Sequence, residues 1–286
     1  MMDSFRKFAK LVCPWKHCFP EFKLNSSSSV FQPPKEYSPW KYIVRGSFSQ
    51  ADMASKFVNN QCTSMALTAA MYNHMKCINK WKRQDIDLIL SQGDSNHHRF
   101  REVFQFSDNK DDRVALSDIP EIFTMHVKET KAVGLKLGDW AGPVSSKMSG
   151  YNEEFRKFCP TLMDVLQENL KTNRPVIATI AVFTLAFIKV GSKIWLFDSH
   201  ERNSRGNNAI LNGKAFAAPF SSLQQIEEYL VKIYGKNACF NAFSLKLWIP
   251  EEYVKSDEAI IKNIEQQLYV SASYKQCKGK MAKETT

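Results

Sequence analysis

The sequence lacks any uninterrupted apolar run long enough for a membrane-spanning helix. Its longest mostly apolar run, residues 176–190, contains Thr179, Thr184 and Lys189 and falls short of the ~20 residues that a spanning helix needs. The first residues, MMDSFRKFAKLVCPW, contain no continuous apolar stretch of about 7–15 residues such as a secretory signal carries. We therefore expect no membrane partner and a protein that stays inside the cell, in the cytoplasm with access to the nucleus.

The sequence also lacks internal repeats and a regular spacing of cysteines. The seven cysteines are an odd number in a chain of 286 residues, which is too large to depend on disulfides, so we expect free thiols. The contents of hydrophobic residues (44%), Gly (11) and Pro (11) are ordinary for a globular protein. Together these features exclude a wholly disordered chain, a collagen and a coiled coil.

Charge of one sign is in excess but is not concentrated. Lys and Arg number 39 against 29 Asp and Glu, a formal net charge of +10, and the only local excess lies in the final segment YKQCKGKMAK. Phosphates bind Lys and Arg with little regard to sequence, so a nucleic-acid partner stays open. Because the charge is diffuse, we favour an ordinary solvated surface and keep nucleic-acid binding as the weaker alternative.

Composition changes along the chain predict three segments. Residues 1–39 include NSSSSVFQPPKEYSP, in which serine and proline oppose both helix and sheet, so we interpret them as a flexible N-terminal extension. Residues 40–255 carry the apolar patterns of a compact domain. Residues 256–286 become polar and basic, and we interpret them as a basic C-terminal tail.

Within the compact domain, the patterns predict helices followed by strands. Apolar residues at helical spacing predict helices over 63–78, 83–90, 161–170 and 223–234. Apolar runs and alternation predict strands over 176–183, 185–190, 194–197 and 243–249. Helices followed by strands in this order indicate an α+β fold, in which a helical part packs on a mostly antiparallel sheet.

Cys62 lies where a polar loop meets the first turn of the first helix, in NNQCTSMALTAAM. A thiolate at that position faces unpaired backbone N–H groups and the positive end of the helix dipole, and both lower the pKa of the thiol. The alternative is a buried cysteine that packs as a small hydrophobe, which is the common situation.

A potential base follows the third strand, in KIWLFDSH. Asp198 and His200 come directly after the apolar residues 194–197, and residues i and i+2 of an extended chain point to the same face. The Asp198 carboxylate can then accept a hydrogen bond from one ring nitrogen of His200 and leave the other nitrogen to take the proton of Cys62. Asp-x-His alone also fits an ordinary polar loop.

An acyl-transfer site further needs donors directed at the developing oxyanion. The backbone N–H of Cys62 is one candidate. Gln50, twelve positions before the cysteine, can reach the thiol with its NH2 group if the loop folds back, whereas we expect the adjacent Gln61 to hold the loop or face solvent.

These pieces carry a family resemblance. The Gln50-Ala51-Asp52 segment, then Gln61-Cys62-Thr63-Ser64 at a helix start, then Phe197-Asp198-Ser199-His200 at a strand end resemble the ubiquitin-specific cysteine protease at the start of herpesvirus large tegument proteins. Cellular viral tegument-like deubiquitinases share the pattern, and the resemblance covers residues 42–250. The Asp-Gly-Asn-Cys signature of ovarian-tumour-type deubiquitinases is absent.

The resemblance implies a papain-like fold and cleavage of ubiquitin from conjugates. By matching position it implies Cys62 as nucleophile, His200 as general base and acid, Asp198 as orienter of the imidazole and Gln50 as oxyanion donor. We therefore expect a monomeric thiol hydrolase that needs no cofactor or metal and acts on ubiquitin or ubiquitinated proteins. A protease for another ubiquitin-like modifier or for peptides stays open, as does a non-catalytic module that binds ubiquitin or nucleic acid.

Overall fold

The structure, a computed structural model, describes residues 38–103, 113–209 and 212–249. The predicted basic tail lies outside these residues, as does all of the predicted N-terminal extension except its last two positions. The domain boundaries at 39/40 and 255/256 therefore stay predictions.

The described residues form five α-helices and eight β-strands. The helices are α1 (Cys62–Met75), α2 (Arg83–Val103), α3 (Glu153–Arg156), α4 (Leu162–Lys171) and α5 (Leu223–Tyr234). The strands are β1 (Val44–Arg45), β2 (Ile122–Val127), β3 (Thr130–Pro143), β4 (Val176–Ile180), β5 (Phe183–Val190), β6 (Lys193–Arg202), β7 (Lys214–Phe220) and β8 (Cys239–Trp248). None of these helices is both long enough and apolar enough to cross a bilayer.

The eight strands form one sheet in the order β1-β7-β6-β5-β4-β8-β3-β2. Every neighbouring pair in it is antiparallel. The predicted α+β class with a mostly antiparallel sheet is thus confirmed. The prediction had missed β1, β2, β3 and β7, which add four strands to the sheet.

Alternation along the central strands sends apolar side chains to both faces of the sheet. On β6, Phe197 joins the cluster that α1 and α2 cover, whereas Leu196 joins the cluster that α4 and α5 cover. Successive residues of a strand point to opposite faces, so both faces of such a strand must be apolar when both are covered. The site described below lies at the end of this doubly covered sheet.

Helix α2 is much longer than predicted. The pattern predicted residues 83–90, but the helix continues through a polar stretch and Gly93 to Val103. Gly93 is the point of closest approach to α1, because a Cβ placed there would lie 2.8 Å from the Cα of Met65. The glycine therefore allows α1, which carries Cys62 at its start, to pack tightly against α2.

The predicted strand 176–183 is in fact cut by a tight turn. Strands β4 and β5 pair with each other, and Ile180 and Phe183 are the pair next to the turn. Ala181, in the turn between them, takes a left-handed conformation with φ of 55°. Two-residue hairpins commonly use Asn or Gly at such positions, and the dipeptide Ala181-Val182 gives no such signal. The turn places Phe183 and Thr184 at the beginning of β5, beside the site.

Candidate active site

Cys62 is the first residue of α1, which begins one residue before the predicted start at position 63. Its side chain is 6% exposed, and Gln61 precedes the helix without a capping side-chain hydrogen bond. The thiol therefore lies next to the free N–H groups of the first turn and the positive end of the helix dipole.

Asp198 and His200 lie within β6 rather than after it, because the strand runs to Arg202. Between Asp198 and Arg202, four steps on β6 oppose only two on β7, so the strand bulges here. Asp198 Oδ1 accepts hydrogen bonds from the His200 backbone N at 2.9 Å and from His200 Nδ1 at 2.6 Å. The same carboxylate oxygen thus closes the bulged segment and sets the orientation of the imidazole.

The bulge requires a glycine on the neighbouring segment. A Cβ on Gly213, directly before β7, would lie 2.7 Å from the Cα of Glu201. Any larger residue would have to push Glu201 away, and with it the adjacent His200. Gly213 is therefore part of the local framework that fixes the base.

The structure brings the thiol and the imidazole together. The two side chains lie close enough for a hydrogen bond and a charge interaction between them to shift the pKa of each. Burial raises the pKa of the Cys62 thiol, but the hydrogen bond and charge of His200, together with hydrogen bonds from Thr184, lower this pKa to about 7. Burial lowers the pKa of His200, but the charge and hydrogen bond of Asp198, then those of Cys62, raise this pKa to about 9.

These two pKa values favour a thiolate beside an imidazolium between about pH 7 and pH 9. A thiolate is the nucleophilic form of cysteine, and an imidazolium carries a proton that a leaving group can take. An arrangement of this kind can attack a carbonyl carbon and then protonate the departing amine.

Arg202 is a member of the site that the sequence analysis missed. Its side chain is buried, and Nε donates to Asp198 Oδ2 at 2.7 Å while Nη2 donates to the Tyr234 hydroxyl at 2.8 Å. Burial would raise the pKa of Asp198, but the Arg202 charge, then the charge and hydrogen bonds of His200, hold it well below its usual range. Arg202 thereby keeps the carboxylate ionised.

The β4–β5 hairpin contributes a further contact that the sequence did not indicate. Thr184 lies beside Cys62, and hydrogen-bonding groups of its side chain and backbone lower the pKa of the Cys62 thiol. The Thr184 hydroxyl also lies 3.1 Å from the Thr63 hydroxyl and 2.8 Å from that of Thr179. Phe183 packs edge-on against the His200 ring at a centroid separation of 4.7 Å, which limits the ring's rotation.

Gln50 lies between the segments that carry Cys62 and His200. It begins a short 3-10 turn, Gln50–Asp52, and is buried. Its Oε1 accepts a hydrogen bond from the Ser199 hydroxyl at 3.0 Å, and its Nε2 donates to the Asn59 carbonyl at 3.4 Å. The loop before Cys62 therefore folds back as the sequence analysis required of an oxyanion donor.

Gln61 holds the loop, which is one of the two predicted options. Its Nε2 donates to Asp94 Oδ1 at 3.0 Å, and the Ser55 hydroxyl donates to the same oxygen at 2.6 Å. The other option, a solvent-facing side chain, is wrong because Gln61 is fully buried.

Within residues 38–103, 113–209 and 212–249, no group of three His, Cys, Asp or Glu side chains is placed to hold a metal ion. The site's own acidic and imidazole groups are occupied by one another and by Arg202. The described site offers a thiol, an imidazole and nearby hydrogen-bond donors.

Comparisons with known proteins identify a family and a related fold. The family described as herpesvirus tegument protein, N-terminal conserved region, matches residues 45–247, well over half of the chain. No curated protein is significantly similar in sequence.

A solved structure shares the fold. It is the ubiquitin-specific protease of the murine cytomegalovirus tegument protein M48, in complex with a ubiquitin-based suicide substrate. The alignment covers 79% of this chain and 94% of that chain, at 16% identity and a TM-score of 0.60. The expected papain-like α+β fold is thereby confirmed.

Proposed function

The chain belongs to the family of the herpesvirus tegument protein N-terminal conserved region, and from that premise we propose that it is a cysteine isopeptidase that releases ubiquitin from conjugates. The observation that carries the proposal is the 2.6 Å hydrogen bond by which Asp198 orients the His200 imidazole beside the Cys62 thiol. The substrate is inferred from the M48 protease, which was captured with a ubiquitin-based suicide substrate.

In the proposed reaction, the Cys62 thiolate attacks the carbonyl carbon of the isopeptide bond. The oxyanion that forms receives hydrogen bonds from the Cys62 backbone N–H and from Gln50 Nε2. The His200 imidazolium then protonates the departing lysine amine as the C–N bond breaks.

The second half of the reaction reuses the imidazole. Neutral His200 takes a proton from water as the water oxygen attacks the thioester, the C–S bond breaks to release the Cys62 thiolate, and the carboxylic acid that forms gives its proton to the solvent. Throughout, Asp198 keeps its hydrogen bond to Nδ1 and stabilises the ring whenever it is charged.

A ubiquitin derivative with an electrophile at its C-terminus tests the proposal directly. We expect the wild-type protein to gain one covalently bound ubiquitin, and Cys62→Ala to gain none. Cys77→Ala is the matched control, because it removes a half-buried thiol at the other end of α1, and we expect it to react like the wild type.

Two outcomes would contradict the proposal: a folded wild-type protein that does not react, and an adduct that persists in Cys62→Ala. Parallel probes that carry other ubiquitin-like modifiers address the substrate class. A faster reaction with one of them would replace ubiquitin as the substrate and leave the thiol chemistry in place.

A further inference from the structure

Ser199 lies between Asp198 and His200 in the sequence, but its hydroxyl bonds to neither of these side chains. Asp198 and His200 hydrogen-bond to each other on one side of β6, while the Ser199 hydroxyl contacts Gln50. Alternation along a strand explains this division, because residue i+1 points away from residues i and i+2. The Ser199 side chain is 1% exposed, so its hydroxyl has no access to bulk water.

The contact with Ser199 determines which way the Gln50 amide faces. Because the serine hydroxyl donates to Oε1 at 3.0 Å, the carbonyl end of the amide points to β6 and the NH2 end points away from it. One N–H of that NH2 group donates to the Asn59 carbonyl at 3.4 Å, three residues before the thiol. The second N–H is left for another acceptor.

The other contacts near Gln50 fix its backbone rather than its amide. Asp52 Oδ2 accepts from the Ser49 backbone N at 2.8 Å, and the Ser49 hydroxyl accepts from the Ala51 backbone N at 3.2 Å. These bonds hold the 3-10 turn in place. A primary amide on a fixed backbone can still turn over, which would exchange its oxygen and nitrogen.

We propose that Ser199 is the positioning residue that holds the Gln50 amide with its NH2 group toward the reacting carbonyl. The inference rests on the proposed function, since it gives Gln50 a task only in an acyl-transfer reaction. One short segment of β6 then sets the base, its orienter and the oxyanion donor together.

Steady-state kinetics on a ubiquitin substrate with a C-terminal fluorogenic amide tests the inference. We expect Ser199→Ala to lower kcat about 3- to 10-fold with little change in KM, as for one lost hydrogen bond that acts in the transition state. We expect Gln50→Ala to lower kcat about 10²- to 10³-fold. The double variant should be no slower than Gln50→Ala, because Ser199 acts only through Gln50.

Ser244→Ala is the matched control. Ser244 is also a buried strand serine, and its hydroxyl donates to the Leu137 carbonyl at 3.2 Å, in β3. We expect its kcat to equal that of the wild type. A wild-type kcat in Ser199→Ala, or a double variant that is slower than Gln50→Ala by the full Ser199→Ala factor, would overturn the inference.

A second measurement does not depend on turnover. The side-chain NH2 resonances of Gln50, identified by their loss in Gln50→Ala, should shift in Ser199→Ala and stay in place in Ser244→Ala. Unchanged resonances in Ser199→Ala would overturn the inference even if the enzyme is active. If the resonances shift in Ser199→Ala but the wild-type protein shows no turnover, the proposed function is refuted and the Ser199–Gln50 contact is retained.

Discussion

At the end of β6 the side chains of Asp198, His200 and Arg202 are buried together, and we call them the charged cluster. The buried side chains between the sheet and α4 include Leu166, Leu185 and Phe187, which we call the apolar layer. The charged cluster depends on directed bonds, including 2.6 Å and 2.7 Å contacts to the two oxygens of one carboxylate. The stability of the apolar layer depends on the apolar surface area that is buried and on the volume that the side chains fill, and it needs no directed bonds.

The difference decides how each region responds to substitution. In the apolar layer, a side chain of similar volume should serve nearly as well as the original. In the charged cluster, each buried charge is stabilised by a partner of opposite charge. Removing one partner therefore leaves the other with the full desolvation penalty of its burial. The tests that follow ask whether this contrast holds, beginning with the largest expected effect.

Asp198→Asn should cause the largest loss. The amide can no longer stabilise the imidazolium or fix the Nδ1 proton, and we expect kcat/KM on a ubiquitin substrate to fall about 10⁴-fold. Asp139→Asn, on the exposed part of β3, is the control and should be as active as the wild type. A loss of less than tenfold in Asp198→Asn would show that the carboxylate is not needed to orient the base.

Arg202→Met should lower the free energy of unfolding by about 3–5 kcal/mol, because it removes one of the two cationic partners of the buried Asp198 carboxylate and leaves Asp198 Oδ2 and the Tyr234 hydroxyl without their bonds to Arg202. Leu166→Met, a volume-conserving change in the apolar layer, should cost less than about 1.5 kcal/mol. Denaturant unfolding of both variants measures the two values. Equal losses would break the contrast between the regions.

The pH profile of kcat/KM should be bell-shaped. Below pH 7 the Cys62 thiolate becomes protonated, since its pKa is about 7, and activity should fall roughly tenfold per pH unit. Above pH 9 the His200 imidazolium loses its proton, since its pKa is about 9, and activity should fall again. A profile that is flat from pH 5 to pH 10 would contradict the ion pair.

Thr184→Val should have the smallest effect of the set. Removal of the hydroxyl takes one hydrogen bond from the thiolate, so the pKa of Cys62 should rise by on the order of one unit. The pH dependence of Cys62 alkylation by iodoacetamide measures this shift. Thr179→Val is the control, because that hydroxyl contacts Thr184 at 2.8 Å, and a smaller shift is expected. Equal shifts in both variants would mean that Thr184 acts on Cys62 only indirectly.

Local sequence patterns predicted part of the site. The polar-to-apolar junction predicted the start of α1 at Cys62 within one residue, and Asp-x-His predicted the bonded pair, because both depend on neighbours in the chain. The fold-back of Gln50 was predicted as one option from loop length, and its role came from the resemblance.

The remaining contacts of the site depend on which strands pair. Thr184 reaches Cys62 only because Ala181 turns the chain at a position without glycine or asparagine. Arg202 reaches Asp198 only because the strand bulges between them, and four residues apart in a regular strand they would be too distant. Helical periodicity likewise stopped at Leu90, whereas α2 continues to Val103 because it packs on α1.

The proposed nucleophile and its proposed base come from separate layers, Cys62 at the start of α1 and His200 on β6, 138 residues later in the chain. During synthesis the cysteine leaves the ribosome well before the histidine exists. Until β6 pairs with β5 and β7, the thiol has the ordinary pKa of about 8.5 and stays mostly protonated at neutral pH. The nascent chain therefore carries Cys62 mainly as an unreactive thiol, and the thiolate forms in quantity only when the sheet is complete.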